Sequence, residues 1–274
     1  MSADFLKQMA ARSRARVEAA MRLRPATRMF ADAADSAAPL PLAPNVQGFD
    51  IIAELKLRSP AAGTLHAPDE DIGRRVRRYA TAGAFAVSVL TEPSEFQGEL
   101  AHLELTARAL RPAQVPTMRK DFLVDPYQVA EARVAGAGGV LIILRMLARE
   151  ELQALMAEAE RLGLFVLLET FDEKDIELAH ELVAGLKESP NPTVLIGVNC
   201  RDLVTLQVVP GRLELLGPLL PRGVPRVAES GVASAEDVSR VRAAGYDVAL
   251  IGSALMRARD PEELVRQMLV AGRT

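Results

Sequence analysis

Eight short apolar runs separated by longer amphipathic stretches constrain this chain more than any other feature of it. The runs are 50–55, 84–90, 115–118, 139–144, 164–168, 193–198, 225–228 and 247–251, so the unit recurs about every 28 residues. None alternates strictly between apolar and polar positions, which is the pattern of parallel strands buried on both faces. The stretches between them, such as 71–81, 126–135, 149–162, 172–186, 234–244 and 261–271, carry helical spacing. Several open on cap residues (Asp172, Ser234, and Asp260 before Pro261), and several stop at a glycine (Gly83, Gly136, Gly163, Gly245). Eight βα units in 274 residues close most readily as a (β/α)8 TIM barrel. A doubly wound open sheet would have fewer strands and often a glycine-rich first turn, whereas the first run here passes into Glu54-Leu55-Lys56.

Ahead of the first run lie residues 1–24, which read as one helix. Residues 35–46 read as a connector, with Pro39, Pro41 and Pro44 among small residues. The expected division is therefore an N-terminal helical extension, 1–48, packed on one barrel domain, 49–274. The extension is rich in Ala and Arg, as transit peptides are. Asp4 and Glu18 interrupt it, however, and Phe5, Met9, Val17 and Met21 keep helical spacing, so an amphipathic helix is the better reading. It has no apolar core of a secretory signal, and no stretch reaches the roughly 18 apolar residues that span a bilayer. The 33 basic and 36 acidic side chains leave a net charge of -3, which argues against nucleic-acid or membrane partners. A single cysteine, Cys200, excludes an internal disulfide and fits a reducing compartment, so the cytoplasm is expected.

Ionisable residues sit where buried strands should avoid them. The first strand ends on Glu54 and Lys56, the third on Arg119, Lys120 and Asp121, the fifth on Glu169, the sixth on Asn199 and Arg201, and the seventh on Glu229. In a barrel these C-terminal ends meet at one rim, where active sites lie, and alternate residues point inward. Taken singly, each charge reads equally as a helix-start carboxylate or a solvated rim residue. Two lysines and three glutamates converging on one opening read as a proton-transfer site. The seventh and eighth strands continue as Ser230-Gly231 and Gly252-Ser253. Either pair alone is a plain turn, but both after the last two strands point to a phosphate held by backbone N–H groups and hydroxyls.

These residues stand in segments that resemble the indole-3-glycerol phosphate synthase family: IIAELKLRSPAAG (51–63), SVLTEPSEFQG (88–98), MRKDFLVDPYQ (118–128), IGVNCRDL (196–203), VAESG (227–231) and LIGSALM (250–256). The N-terminal helix is similar to the family's extra segment before the barrel. The resemblance implies a carboxy-lyase of tryptophan biosynthesis. Its substrate is 1-(2-carboxyphenylamino)-1-deoxyribulose 5-phosphate, and its products are indole-3-glycerol phosphate, carbon dioxide and water. It implies no metal and no organic cofactor, and His66, His102 and His180 are scattered without ligand spacing. It further implies a phosphorylated small-molecule substrate and a monomer or weak homo-oligomer, open to association with other enzymes of the pathway.

By the same resemblance Lys120 is the acid of ring closure and Glu169 the base of dehydration. Lys56 with Glu54 is a second pair, in which Lys56 orients Glu54, contacts substrate or acts in dehydration. Asn199 and Glu229 hold sugar hydroxyls, and Arg201 faces the anthranilate carboxylate. Ser59, Phe96, Phe122 and Leu203 line the aromatic pocket, although Phe96 and Phe122 serve equally well as barrel packing. Ser230, Gly231, Gly252 and Ser253 hold the phosphate.

The chain departs from the family's usual pattern at four places. Cys200 interrupts an Asn-Asn-Arg run, and reads as a small packed residue rather than a nucleophile. Thr170-Phe171-Asp172 follows Glu169 in place of Val-His-Asp. Gly138 replaces an aspartate, and Arg145 follows the fourth strand. Such changes suit a divergent paralogue. A sister phosphate barrel such as phosphoribosylanthranilate isomerase would want a cysteine where Glu54-Leu55-Lys56 stands. A non-catalytic barrel would be expected to lose such costly charges.

Overall fold

The computed structural model describes residues 2–43, 48–67, 70–185, 194–202 and 205–274. Eight parallel strands close on themselves: β1 (Asp50–Leu55), β2 (Ala86–Leu90), β3 (Thr117–Lys120), β4 (Gly139–Ile143), β5 (Phe165–Thr170), β6 (Val194–Asn199), β7 (Arg226–Glu229) and β8 (Val248–Ile251). Consecutive strands pair, and β8 returns to β1 in the register Asp50↔Val248, so no strand edge is left open. This is the (β/α)8 barrel that the repeat implies. Pro44, Thr193, Leu186 and Leu203, all used in reading the sequence, lie outside the described residues.

The strand interior separates into two layers by simple alternation. Ile52, Met118, Leu141, Leu167, Leu195, Val227 and Leu250 are buried in one cluster that plugs the barrel. Two residues further along each strand stand Glu54, Lys120, Ile143, Glu169, Gly197, Glu229 and Gly252. One inward register therefore carries an apolar floor and, one layer higher, the charged groups. The strands also run further than the apolar runs did: β3 includes Arg119 and Lys120, and β5, β6 and β7 include Glu169, Asn199 and Glu229. Hydropathy stops at the first charge, but the ladder continues wherever the charge is paired.

The helices form as their ends dictate. Asp71, Asp172, Ser234 and Asp260 accept from backbone N–H groups at the starts of α3 (Ile72–Thr81), α8 (Glu173–Ala184), α10 (Ala235–Ala243) and α12 (Pro261–Arg273). Two further helices precede the barrel, α1 (Ser2–Leu23) and α2 (Ala26–Asp35), of which only the first is expected from hydropathy. Polar contacts tie α1 and the residue that follows it to the barrel. Arg16 donates to Asp121 at 2.6 Å, Gln128 donates to the hydroxyl of Ser13 at 2.9 Å, and the Tyr127 hydroxyl donates to the Arg24 carbonyl at 2.9 Å. Gly138 has a local reason. A Cβ there would come within 2.5 Å of the Leu40 carbonyl oxygen, so the connector is seated on a position that admits no side chain.

Candidate active site

The mouth of the barrel opens on a cavity of about 370 Å³. Glu54, Lys56, Lys120, Glu169, Asn199 and Glu229 line it together. Lys56 Nζ lies 2.6 Å from Glu54 Oε1. Lys120 Nζ donates to Glu169 Oε2 at 3.2 Å and lies 3.5 Å from Glu229 Oε2. Asn199 makes a short contact from Nδ2 to Glu169 Oε1, while its Oδ1 accepts from the Arg201 backbone at 2.9 Å. The second bond fixes which way the amide points, so Asn199 presents a donor to the carboxylate.

Glu229 differs from its neighbours. It is 1% exposed, and neither carboxylate oxygen takes part in a hydrogen bond. The Lys120 ammonium stands 3.5 Å from Oε2, at the outer limit of a hydrogen bond. Burial, and then the charge of Glu169, push its carboxyl up to about 8. For Lys120, burial alone would pull the ammonium down. The carboxylates of Glu169, Glu229 and Glu54 outweigh burial and hold it above the ordinary lysine range. An ammonium held charged beside one hydrogen-bonded carboxylate and one carboxyl that takes up a proton more readily is suited to moving protons.

Arg119 and Asp121 adjoin Lys120 in sequence but do not join this cluster. Arg119 turns to the outer face of β3, donating to the Gln128 carbonyl at 2.9 Å and to Glu131 at 3.1 Å. The Asp121 carboxylate is held by Arg16, Arg119 and the Thr91 hydroxyl. Alternation along a strand separates these three neighbours.

Ser59, Phe96, Phe122, Arg201, Ser230, Gly231, Gly252 and Ser253 line the same cavity, and Leu203 lies outside the described residues. Phe122 packs on Phe96 at 6.2 Å between centroids and meets the edge of Phe5, from α1, at 5.9 Å. Ser59 accepts from the Ala62 backbone at 3.1 Å and so also shapes the turn after β1. Arg201 donates to the Leu206 carbonyl. After β7 the chain turns sharply, with Ser230 at φ 65 and Gly231 at φ 75. After β8, Gly252 and Ser253 open a five-residue helix, α11 (Ser253–Arg257), whose first N–H groups have no acceptor one turn back. Cys200 packs behind the Ser230-Gly231 turn and donates to the Val209 carbonyl at 3.0 Å, and burial pushes its thiol up. It is a packing residue here.

Three contributors carry no charge and escape a search for charges. Gly197 lies beneath Glu229: a Cβ there would stand 2.1 Å from Glu229 Oε1. A lone glycine inside the apolar run 193–198 is itself a sign of close approach. Gly252 has a second duty, because a Cβ there would stand 2.1 Å from Glu54 Oε1. Phe5 comes from a helix more than a hundred residues from its partner, and nothing local announces it.

Comparison with known proteins puts these features in a family context. The family model for indole-3-glycerol phosphate synthase matches residues 2–268. The chain is 44% identical to the indole-3-glycerol phosphate synthase of Nocardioides sp. (strain JS614), over 81% of this chain and 80% of that protein. It is 39% identical to that of Mycobacterium ulcerans, over 88% and 85%. Among solved structures it is similar to the 3-hexulose-6-phosphate synthase of Salmonella typhimurium. The TM-score there is 0.60 at 13% identity, covering 82% of this chain and 98% of that one, a likeness of fold alone.

Proposed function

The chain belongs to the indole-3-glycerol phosphate synthase family, and on that premise we propose that it converts 1-(2-carboxyphenylamino)-1-deoxyribulose 5-phosphate to indole-3-glycerol phosphate with the cluster around Lys120. The reaction is that of a carboxy-lyase in tryptophan biosynthesis. The observation that carries the reading is the position of Lys120. It is on the inward register of β3, held charged between Glu169 and Glu229.

Ring closure requires the ribulose carbonyl to accept electrons as an aromatic carbon attacks it. The Lys120 ammonium is the donor for that oxygen, and acts mostly in the transition state where the charge develops. Glu169 takes the proton released in dehydration. Asn199 holds its carboxylate in one orientation and then, with Glu229, binds the sugar hydroxyls. Lys56 and Glu54 form the second acid–base pair on β1. The aromatic ring of the substrate lies among Ser59, Phe96 and Phe122, with Arg201 toward its carboxylate. Ser230, Gly231, Gly252 and Ser253 hold the phosphate, on the turn after β7 and at the short helix after β8.

The reading carries with it a barrel of residues 49–274 preceded by an extension of residues 1–48, working in the cytoplasm as a monomer or weak homo-oligomer. Consistent with this, no helix among the described residues is long and apolar enough to cross a membrane. Adding the substrate and following the indole absorption and fluorescence tests the proposal. A well-folded preparation that forms no indole product would overturn it.

A further inference from the structure

The charged layer is out of balance. Glu54, Glu169 and Glu229 face Lys56 and Lys120, three carboxylates to two ammoniums in a buried site. Among the described residues the other charges near the mouth lie outside this layer, each with contacts of its own. Beyond β6, Arg201 donates to the Leu206 carbonyl. Beyond β4, Arg145 is paired with Asp172 and Asp175. On the β2 and β3 side, Glu92 and Asp121 share Arg16. From β8 the nearest residues are Gly252 and Ser253, and Arg257 donates to the Ala62 carbonyl. A buried excess negative charge is expensive and is relieved by binding a proton. Glu54 has Lys56 at 2.6 Å, and Glu169 has both Lys120 and Asn199. Glu229 is buried without a hydrogen bond to either oxygen, so it is the group that a proton costs least.

Resting on the reaction proposed above, we propose that Glu229 is the site's proton store, holding as a carboxylic acid the one proton that each turnover consumes and delivering it through Lys120. The stoichiometry requires such a proton. The substrate's ring carboxylate leaves as carbon dioxide and its carbonyl oxygen as water, so the carboxylate form needs one H⁺ to balance. A bond forms between the carboxylate-bearing ring carbon and the carbonyl carbon, and the carbonyl π pair moves to oxygen, which takes a proton from Lys120. The bond to the carboxylate then breaks, and its pair returns to the ring system. The new hydroxyl leaves with a second proton as water, and the adjacent CH₂ gives up one proton to Glu169. Two protons are delivered and one is recovered.

The same oxygen is protonated twice, and Lys120 serves both events when it is reloaded between them. Glu229, 3.5 Å from Nζ, is placed to do so: its proton passes to the lysine amine, leaving a carboxylate beside a restored ammonium. The cycle closes when Glu169 releases its proton to the pair and one more enters from water. The upward displacement of the Glu229 carboxyl is consistent with a filled store at neutral pH, emptying above about 8.

Infrared spectroscopy of the ligand-free protein reads the store without any turnover. The expected result is a protonated-carboxyl C=O band at pH 6.5 that disappears by pH 10 and is missing at both pH values in Glu229→Gln. In turnover, Glu229→Gln should lower kcat at least tenfold with a smaller change in KM, and its kcat/KM should lose the alkaline fall expected of the unmodified enzyme. A band that persists in Glu229→Gln, or no band at pH 6.5, overturns the proposal. Should the Gln variant fail to fold, Glu169→Gln decides: the band must survive there, and its loss assigns the proton to Glu169 instead. If the enzyme forms no indole product but the band behaves as stated, the reaction assignment fails and the protonation does not.

Discussion

Lys120→Met separates what Lys120 does for the reaction from what it does for the fold. Methionine keeps most of the length and removes the charge. If the ammonium is the acid of ring closure, turnover should fall about 10²–10⁴-fold, the usual contribution of a positioned acid, equivalent to about 3–5 kcal/mol of barrel-mouth stabilisation at the transition state. The structure adds a second effect. Lys120 stands between Glu169 and Glu229, and its loss leaves both carboxylates without that cation. Removing one partner of a buried pair costs about 3–5 kcal/mol when the other stays charged. Here Glu229 has an escape, since it binds a proton. Its carboxyl, already displaced upward, moves further up without Lys120. A carboxyl raised in the folded state loses stability as pH rises above its unfolded value of about 4.5. The deficit in Tm should therefore be small near pH 5 and largest near pH 9. There, at about 2–4 °C per kcal/mol for a chain approaching this size, it reaches roughly 6–20 °C. Turnover by indole fluorescence and melting by circular dichroism at the two pH values are sufficient. A variant with near-normal kcat at pH 7.5 and the same Tm deficit at both pH values would refute the reasoning on both counts.

Three other outcomes are expected. Glu169→Gln should fold and bind substrate with little change but turn over about 10²–10⁴-fold more slowly; unchanged turnover, with chemistry shown to be rate-limiting, makes Glu169 structural. Gly197→Ala places a Cβ 2.1 Å from Glu229 Oε1, so the carboxylate must leave its position beside Lys120 or the backbone must shift. Its kcat should fall at least tenfold while the circular dichroism spectrum is kept, and full activity would show that the position of Glu229 is unimportant. In crystals grown with phosphate or sulfate, the anion should lie against Ser230, Gly231, Gly252 and Ser253; density only at another part of the rim removes that assignment.

The barrel was legible because its signal is repeated: eight apolar runs, each bounded by turn residues, leave few architectures open. The charged layer was legible for a related reason. A glutamate or lysine at the end of a buried run is improbable unless something pairs with it, so each such residue stands out against its own strand. What hydropathy misplaces is the strand end. Lys120 belongs to β3 because Glu169 and Glu229 from two other strands pair with it, and no local window contains those partners. The sorting of Arg119, Lys120 and Asp121 into two faces was half legible, from alternation alone. That Arg16 of α1 takes up Asp121 was not, since 105 residues separate them. α2 escaped for the opposite reason. Its ten residues are mostly Ala, Asp and Arg, and its fixed points are the Pro25 before it and the burial of Met29 and Ala33 against the barrel.

The departures from the family pattern look independent in the sequence and are not so in space. Arg145, after β4, stacks its guanidinium 4.7 Å above the Phe171 ring, after β5. The same guanidinium lies 2.5 Å from Asp172 and 2.7 Å from Asp175, and Asp175 in turn accepts from the Phe171 backbone at 2.8 Å. Phe171 lines the cavity beside Glu169, while Arg145 stands behind it. Two substitutions 26 positions apart thus form one contact: an aromatic wall with a cation on its outer face, both held by the first turn of α8. Gly138 makes room for the Leu40 carbonyl, and Cys200 fills the space behind the Ser230-Gly231 turn. Each departure therefore has a partner in the packing around the site. None of them displaces Lys120, Glu169, Lys56 or Glu54 from the inward register. A chain drifting away from chemistry would lose the buried charges first and keep the packing. Here the rim charges Glu54, Lys120, Glu169 and Glu229 stand together, and two of the departures, Arg145 and Phe171, pack on each other beside them.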